Sequence, residues 1–377
     1  MLLKFNKKDF MTALKQGSMC AGQNSTLPIL DYIRMKGYGD QTVRIVSSSL
    51  DVTVERACKT EEPIDEPFDI CIPAKDLSGA VSRLSDYVFS IEIGEDNIRV
   101  IYGSGSISMP KVPSYEWPDT FSQDQPQLAS FSVDSKTVAY IIGTCNGFIG
   151  NDELRPNMMT VFVNPSGGDL EYCATDAHKI VTENIAGAVK GLDADTEFMI
   201  PKRTMPALRA LCEESDRPLS VFVFERNVLM GCDDWSVAFT KQEGKYPNYK
   251  AVIASPLTNE KQFTLNKSNF AGAVTRMLTA ANTDTNVIRV ECGDGRVNLY
   301  SEDIDFGKAA KETIEASDNG CEPVTFGLNG VFMKMCIDLV ESENVTVAAK
   351  NPSNAVTFID GKHPGKVILL MPLRLNE

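Results

Sequence analysis

The chain has 377 residues, 43% hydrophobic and 23% charged, which suffices for two to four domains of ordinary size and argues against wholesale disorder. A net charge of -14 counts against nucleic acid held over the whole surface, since phosphate contacts draw on Lys and Arg, but it leaves the local distribution of charge open. No apolar run is as long as a membrane span, the early charges of residues 1–9 do not read as a secretory signal, and ten scattered cysteines without a Cys-x-x-Cys pair indicate reduced, buried thiols in a cytoplasmic protein.

In chain order, the first element is a strand end running into a helix at residues 3–10, Leu-Lys-Phe-Asn-Lys-Lys-Asp-Phe, where Asn6 can cap and Phe10 opens an apolar stripe. The same grammar returns at residues 132–138 with Asp134 and at residues 264–270 with Asn266. The capping positions lie 128 and 132 residues apart, so the chain divides into thirds. A second landmark turns strand into helix at Pro73, Pro201 and Leu328, again 128 and 127 residues apart. The stripes there are Leu77, Val81 and Leu84, then Leu208 and Leu211, then Phe332, Met335 and Leu339, with Thr204 as cap before Pro206.

Between these helices lie β-branched and aromatic runs of period two, at residues 42–46, 88–93, 98–102, 221–224, 287–290 and 345–348. Turn formers such as residues 94–97 and 293–295 separate them. The predicted fold class is α+β: three repeated units spanning 1–122, 128–254 and 259–377, each with two helices packed on two small antiparallel sheets. Pro- and Tyr-containing joins close the first two units, at residues 113–127 and 245–259.

A catalytic reading has little to stand on. There is no phosphate-binding Gly-x-x-x-x-Gly-Lys-Ser/Thr, no complete dinucleotide fingerprint, no Gly-x-Ser-x-Gly and no His-Glu-x-x-His, and the only histidines are His178 and His363. No catalytic residue, metal ligand or cofactor is assigned; a small-ligand binder or enzyme centred on Asp176 and His178 is the alternative class. The predicted helices are more basic than the rest of the chain, through Lys7, Lys8, Lys15, Arg83, Lys136, Lys202, Arg203, Arg209, Lys267, Arg276 and Lys334. Such residues on an amphipathic helix are often only a solvated face, but their recurrence in all three repeats points to a surface facing phosphate.

Four further stretches, residues 25–30 (Ser-Thr-Leu-Pro-Ile-Leu), 174–180 (Ala-Thr-Asp-Ala-His-Lys-Ile), 244–250 (Gly-Lys-Tyr-Pro-Asn-Tyr-Lys) and 370–375 (Leu-Met-Pro-Leu-Arg-Leu), come in an order and spacing that resembles the bacterial DNA polymerase III sliding clamp family, the β-subunit type. The resemblance covers the whole chain. It implies a non-catalytic processivity factor: a head-to-tail homodimeric ring around duplex DNA, helices inward, loaded by a clamp loader and tethering the replicative polymerase and repair proteins through short peptide motifs. Six domains of about 36 Å diameter leave a hole roughly one domain wide, whereas four leave only about 15 Å.

The family's peptide pocket maps onto Arg155, Met158, Thr175, Ala177, His178, Lys179, Ile180, Pro247, Val252, Leu369, Met371, Pro372, Leu373 and Arg374. Its subunit joint maps onto Ile107 and Met109 on one side and Met277 and Leu278 on the other. The chain departs from the family pattern in Ala177, where Gly is usual, in Lys179 and Ala251, where Arg is usual, in Asn24, where a DNA-contacting Arg is often found, and in the added Asn376-Glu377.

Overall fold

The computed structural model describes residues 1–23, 26–118, 121 and 125–375; Asn24, Ser25, residues 119–120 and 122–124, and the Asn376-Glu377 extension lie outside the described residues. Its helices are α1 (Lys7–Gly17), α2 (Ala74–Ser82), α3 (Ser135–Cys145), α4 (Met205–Glu213), α5 (Tyr249–Ala254), α6 (Lys267–Leu278) and α7 (Gly330–Asp338). Helix α1 begins because Asn6 stays extended and its side-chain oxygen accepts from the N–H groups of Lys8 and Asp9. Phe10, Ala13, Leu14 and Gly17 then bury one stripe, and Gly17 lies so close to Ile45 that a Cβ would meet its carbonyl oxygen at 2.8 Å. Asn266 caps α6 in the same way, accepting from Asn269 N–H.

Three expectations about helix ends and stripes change. Asp134 makes no capping hydrogen bond; the neighbouring Ser135 hydroxyl donates instead to the carbonyl of Arg217. Thr204 occupies the cap position of α4 after a 3-10 turn at Lys202–Thr204, yet its buried hydroxyl caps nothing. Helix α7 is capped by Asn329, whose side chain accepts from Val331 and Phe332 N–H, and its buried stripe is Met333, Cys336 and Ile337, continued by Val340. Phe332 and Met335 therefore run along the flank, with Met335 36% exposed. The second join holds a helix that composition concealed: Asn248 accepts from Ala251 N–H to start α5, and Pro256 follows directly.

The predicted strands are present, most extended by one to three residues, and Val88–Ile93 matches at both ends. They form larger sheets than two small ones per unit. In the middle of a 10-stranded sheet, Val52–Lys59 of the first unit pairs antiparallel with Trp235–Thr240 of the second. In a 9-stranded sheet, Lys179–Ile185 of the second pairs with Val367–Leu370 of the third. Backbone polar groups at these joints are thus satisfied between units. Two 4-stranded sheets remain, one in the first unit and one in the third, and one outer strand of each, Gly105–Pro110 and Lys308–Glu315, has no further strand neighbour among the described residues.

The helices pack as pairs, α1 on α2, α3 on α4 and α6 on α7. The pairs also meet across the joints: Gln16 of α1 donates to Glu214 beyond α4, and Gly147 beyond α3 lies 3.6 Å, measured from an added Cβ, from the sulfur of Met335. One layer of helices therefore runs the length of the molecule beside the sheets. The first unit keeps its own apolar core around Phe5, Phe10 and Phe89, whereas the second and third share one that also takes in Cys20, Val52 and Val54 at the first joint. All ten cysteines are free and most are buried, and burial pushes the thiols of Cys20, Cys58, Cys71, Cys212 and Cys292 up to about 12, which makes them poor nucleophiles. Among the described residues no helix is long and apolar enough to cross a membrane.

Candidate functional site

At the joint between the second and third units, the turn after strand Asp169–Thr175 is built from its own side chains. The Asp176 carboxylate accepts from His178 and Lys179 N–H, both at 2.9 Å, and the Thr175 hydroxyl accepts from Ala177 N–H and donates to the Lys179 carbonyl. To close this turn Ala177 takes φ +74°, a conformation that costs an L-residue about 1–2 kcal/mol and costs Gly little. Lys179 is only 3% exposed; its ammonium pairs with Asp176 and sits 3.9 Å from the centre of the Phe332 ring. The pair is committed to the turn, so Lys179 braces the site from beneath, and Asp176 is equally occupied.

A cavity of about 380 Å³ opens beside this turn, lined by Ile149, Arg155, Met158, His178, Phe332 and Met335 with Asp152, Asp176, Lys179 and Lys202 among its polar groups. His178 is exposed and its ring lies over Phe332 at 6.2 Å. Of the expected pocket residues, Arg155, Met158, His178 and Lys179 line the cavity. Thr175, Ile180 and Leu369 are buried and do not line it, and Pro247 and Val252 belong to the segment that carries α5. That segment packs Tyr246 and Tyr249 on Phe162, and with Leu369 they form a small apolar cluster. Phe332 and Met335 were missed as lining because their spacing on α7 reads equally well as a core stripe.

The chain end is held across the same joint. Met371 N–H donates to the His178 carbonyl and Leu373 N–H to Gly327, both at 2.8 Å. A Cβ on Gly327 would meet Leu375 at 2.8 Å and the Leu373 carbonyl at 3.0 Å, so the crossing requires glycine. Met371 is 37% exposed and Arg374 is exposed, with Pro372 and Leu373 half-buried. Val367–Leu370 is interior to its sheet, between Lys179–Ile185 and Val356–Asp360.

The basic residues of the helices divide into two groups. The Lys7 ammonium donates to the carbonyls of Ser82 and Leu84 at the C-terminal end of α2, and that of Lys267 to the carbonyls of Asp338 and Val340 at the C-terminal end of α7. Lys136 reaches the equivalent loop past α4, pairing with Asp216 at 2.6 Å. The recurring first-turn lysine is therefore a brace between the paired helices, favoured by the negative helix C-terminus. Lys202 donates to Asn151, and Arg203, Arg209, Arg276 and Lys334 pair with Asp51, Glu213, Glu312 and Asp338. Lys8, Lys15 and Arg83 are exposed and form no ion pair among the described residues.

At the free ends, Ile107 is half-buried on the open strand Gly105–Pro110, and Met109 on the same strand is buried in the first unit's core. Met277 is likewise core, 3% exposed, and Leu278 half-buried at the end of α6, which Arg276–Glu312 ties to the other open strand. Met109 and Met277 thus pack within the chain. Among the described residues no group of His, Cys, Asp and Glu is arranged to hold a metal ion.

Three repeated α+β units, fused through their sheets and sharing a helix layer, define the fold of the sliding clamps. The crystal structure of a DNA polymerase sliding clamp from Pseudomonas aeruginosa with ligand superposes with a TM-score of 0.92 at 18% identity over 100% of both chains, and one from Bartonella birtlesii bound to griselimycin with 0.88 at 18% over the same extent. The DNA polymerase III beta subunit N-terminal domain matches residues 1–121 and its C-terminal domain residues 253–374, together well over half of the sequence. The chain belongs to the DNA polymerase III beta subunit family. Among its relatives, the beta sliding clamp of Caulobacter vibrioides strain NA1000 is 25% identical over 100% of both chains and that of Pseudomonas aeruginosa 19% over 96% and 97%. Tethering the polymerase to DNA for processive synthesis is the role of this family and of this chain.

Proposed function

We propose that two copies of the chain close head to tail into a ring around duplex DNA. The observation that carries this is the pattern of sheet edges: both joints inside the chain are strand-to-strand, and the 4-stranded sheets of the first and third units each present a long outer strand, Gly105–Pro110 and Lys308–Glu315. The first bears no charged side chain, which leaves only Pro110 at its end to discourage pairing with another strand. Pairing it with the second copy's Lys308–Glu315 would repeat the internal joints and bring Ile107 near the end of α6, where Leu278 lies. The unit limits 1–122, 128–254 and 259–377 then make six units per ring.

The helix layer supports the inner face, with Lys8, Lys15 and Arg83 as cations left for phosphate and the paired residues adding weaker attraction. A ring needs no tight contact, because the topological link holds it while weak contacts let it slide. The cavity beside His178 and the apolar cluster at Tyr246 support a groove for short peptides with Leu or Phe anchors, as carried by a clamp loader, polymerase or repair protein in the cytoplasm. The chain then acts without catalysis. Light scattering at micromolar concentration should give a dimer, and clamps loaded on nicked circular DNA should be lost when the circle is cut. Retention on DNA with free ends would refute the ring.

A further inference from the structure

Both joints inside the chain follow one rule. The last strand of the later unit pairs with the second strand of a hairpin in the earlier unit: Val237 stands opposite Val54 and Phe239 opposite Val52 in the first joint, Ile368 opposite Val181 and Leu370 opposite Lys179 in the second. One further bond closes each ladder at the hairpin end, from Thr240 N–H to the Asp51 carbonyl at 2.9 Å and from Met371 N–H to the His178 carbonyl at 2.8 Å. The outer strands Gly105–Pro110 and Lys308–Glu315 hold the same two places. Lys308–Glu315 is the second strand of its hairpin, with Asp303 opposite Lys308 and Ala310 packed against the core. Gly105 follows its turn, opposite Tyr102, as Trp235 follows its own, opposite Cys232. Carried over, the rule sets Ile107 of one copy opposite Ala310 of the other and Met109 opposite Lys308, and it puts Pro110 in the place of Thr240 and Met371. Proline has no N–H, so the bond that closes both internal ladders cannot form here.

The side chains at that end differ as well. In the second unit Asp176 and Lys179 pair across their turn, and the ammonium meets the ring of Phe332, the third residue of α7 in the next unit. In the third unit Asp303 and Lys308 occupy these places across a longer turn. Asp303 is 1% exposed, yet neither of its carboxylate oxygens has a hydrogen-bond partner among the described residues. Lys308 is exposed and forms no ion pair among the described residues; its ammonium stands 5.4 Å from the centre of the Phe306 ring. A buried carboxylate without a donor or counter-ion is unfavourable, so this end of the strand is incomplete in the single chain.

The helix that follows the corresponding strand supplies what takes the place of Phe332. Asn329 ends its strand and Phe332 is third in α7; Pro73 ends its strand and Asp76 is third in α2. Asp76 is exposed in that first turn beside Lys75, and neither forms an ion pair among the described residues. We propose that Lys308 of one copy, with Asp303 behind it, forms an ion pair with Asp76 of the other and locks the joint between subunits. Lys75 then comes to the acidic turn at Asp305, as Arg203, second after the strand-ending Pro201, comes to Asp51 at the first joint. Facing charges of opposite sign select this pairing over others. Side chains thus hold the end of the ladder between subunits, where a backbone bond holds the ends inside the chain. The lock rests on the head-to-tail ring proposed above.

The test uses full-length chains carrying Asp76→Lys or Lys308→Asp, both at exposed positions, with dimer affinity read by sedimentation and dimer composition by native mass spectrometry. Each variant alone sets like charges against each other at both joints of a ring, and its dimer Kd should rise about tenfold or more. Mixed in equal amounts, the two variants should pair with each other, because one joint of the mixed ring is then wild type and the other has the two charges exchanged. Mixed dimers well above the statistical share, with an affinity near that of the wild type, are the expected result. A statistical mixture, or single variants that dimerise as tightly as the wild type, overturns the lock and leaves the ring standing. A wild type that stays monomeric refutes the ring and the lock with it. If either single variant fails to fold, Asp76→Asn and Lys308→Gln take its place, and an unchanged dimer Kd in both overturns the lock.

Discussion

The two joints within the chain are built from the same backbone device and backed by different chemistry. Five antiparallel pairs, Trp235↔Arg56 to Phe239↔Val52, connect the first and second units, and four connect the second and third. Behind the first joint lies a polar cavity of about 280 Å³, lined by Gln16, Arg56, Glu214, Arg217, Asp234 and Trp235. The buried Gln16 Oε1, Arg56 Nε and Trp235 Nε1 there have no hydrogen-bond partner among the described residues. Behind the second joint a single apolar core runs through, reaching the first unit only at Cys20, Val52 and Val54, and the polar groups around Glu183 and Asp360 are satisfied. Strand pairing aligns units; what lies behind it decides whether they unfold together.

The largest effects should come from the cores. Phe10→Ala should cost about 3–5 kcal/mol and lower only the first unit's transition in calorimetry, whereas Ile368→Ala should cost about 2–5 kcal/mol and lower the joint transition of the other two. If Ile368→Ala lowers both transitions, the contrast between the joints is broken.

Next comes Asp360 behind the second joint. Burial opposes its charge, but N–H donors from Glu341, Lys362 and Ser342 with the Ser342 hydroxyl outweigh it and lower its pKa to about 2. A depressed carboxylate stabilises above its unfolded value near about 3.9 and loses that contribution as pH falls through about 2. Asp360→Asn should therefore cost about 2 kcal/mol at pH 7 and flatten the acid limb of a stability-pH profile.

At the outer end of the same joint, Ala177→Gly should relieve the left-handed strain and stabilise by about 1 kcal/mol in chemical denaturation, less the entropy that Gly adds to the unfolded chain. Smaller still is a contrast within the first unit. Lys7→Gln should cost about 0.5–1 kcal/mol through weaker helix bracing. Lys8→Gln should leave stability unchanged and make the log-log slope of DNA association against salt shallower by about one unit, the share of a single neutralised phosphate. An equal effect of the two on stability would undo the division of the lysines.

Sequence periodicity by itself determined the repeat, the six long helices and most strands, because capping chemistry and apolar spacing act over a few neighbouring residues. Asn6 and Asn266 do what their positions imply. The charge pattern identified the lysines that recur but not their use: Lys7 and Lys267 turn inward to carbonyls more than seventy residues away, a distance in sequence over which no local rule speaks. Only the tertiary structure decided that Phe332 and Met335 line the cavity, that Lys179 is buried against Asp176, and that the sheets fuse across the joints. Each of these depends on which surface meets which after the units have folded, and that is settled by burial and strand-edge pairing between segments remote in the chain.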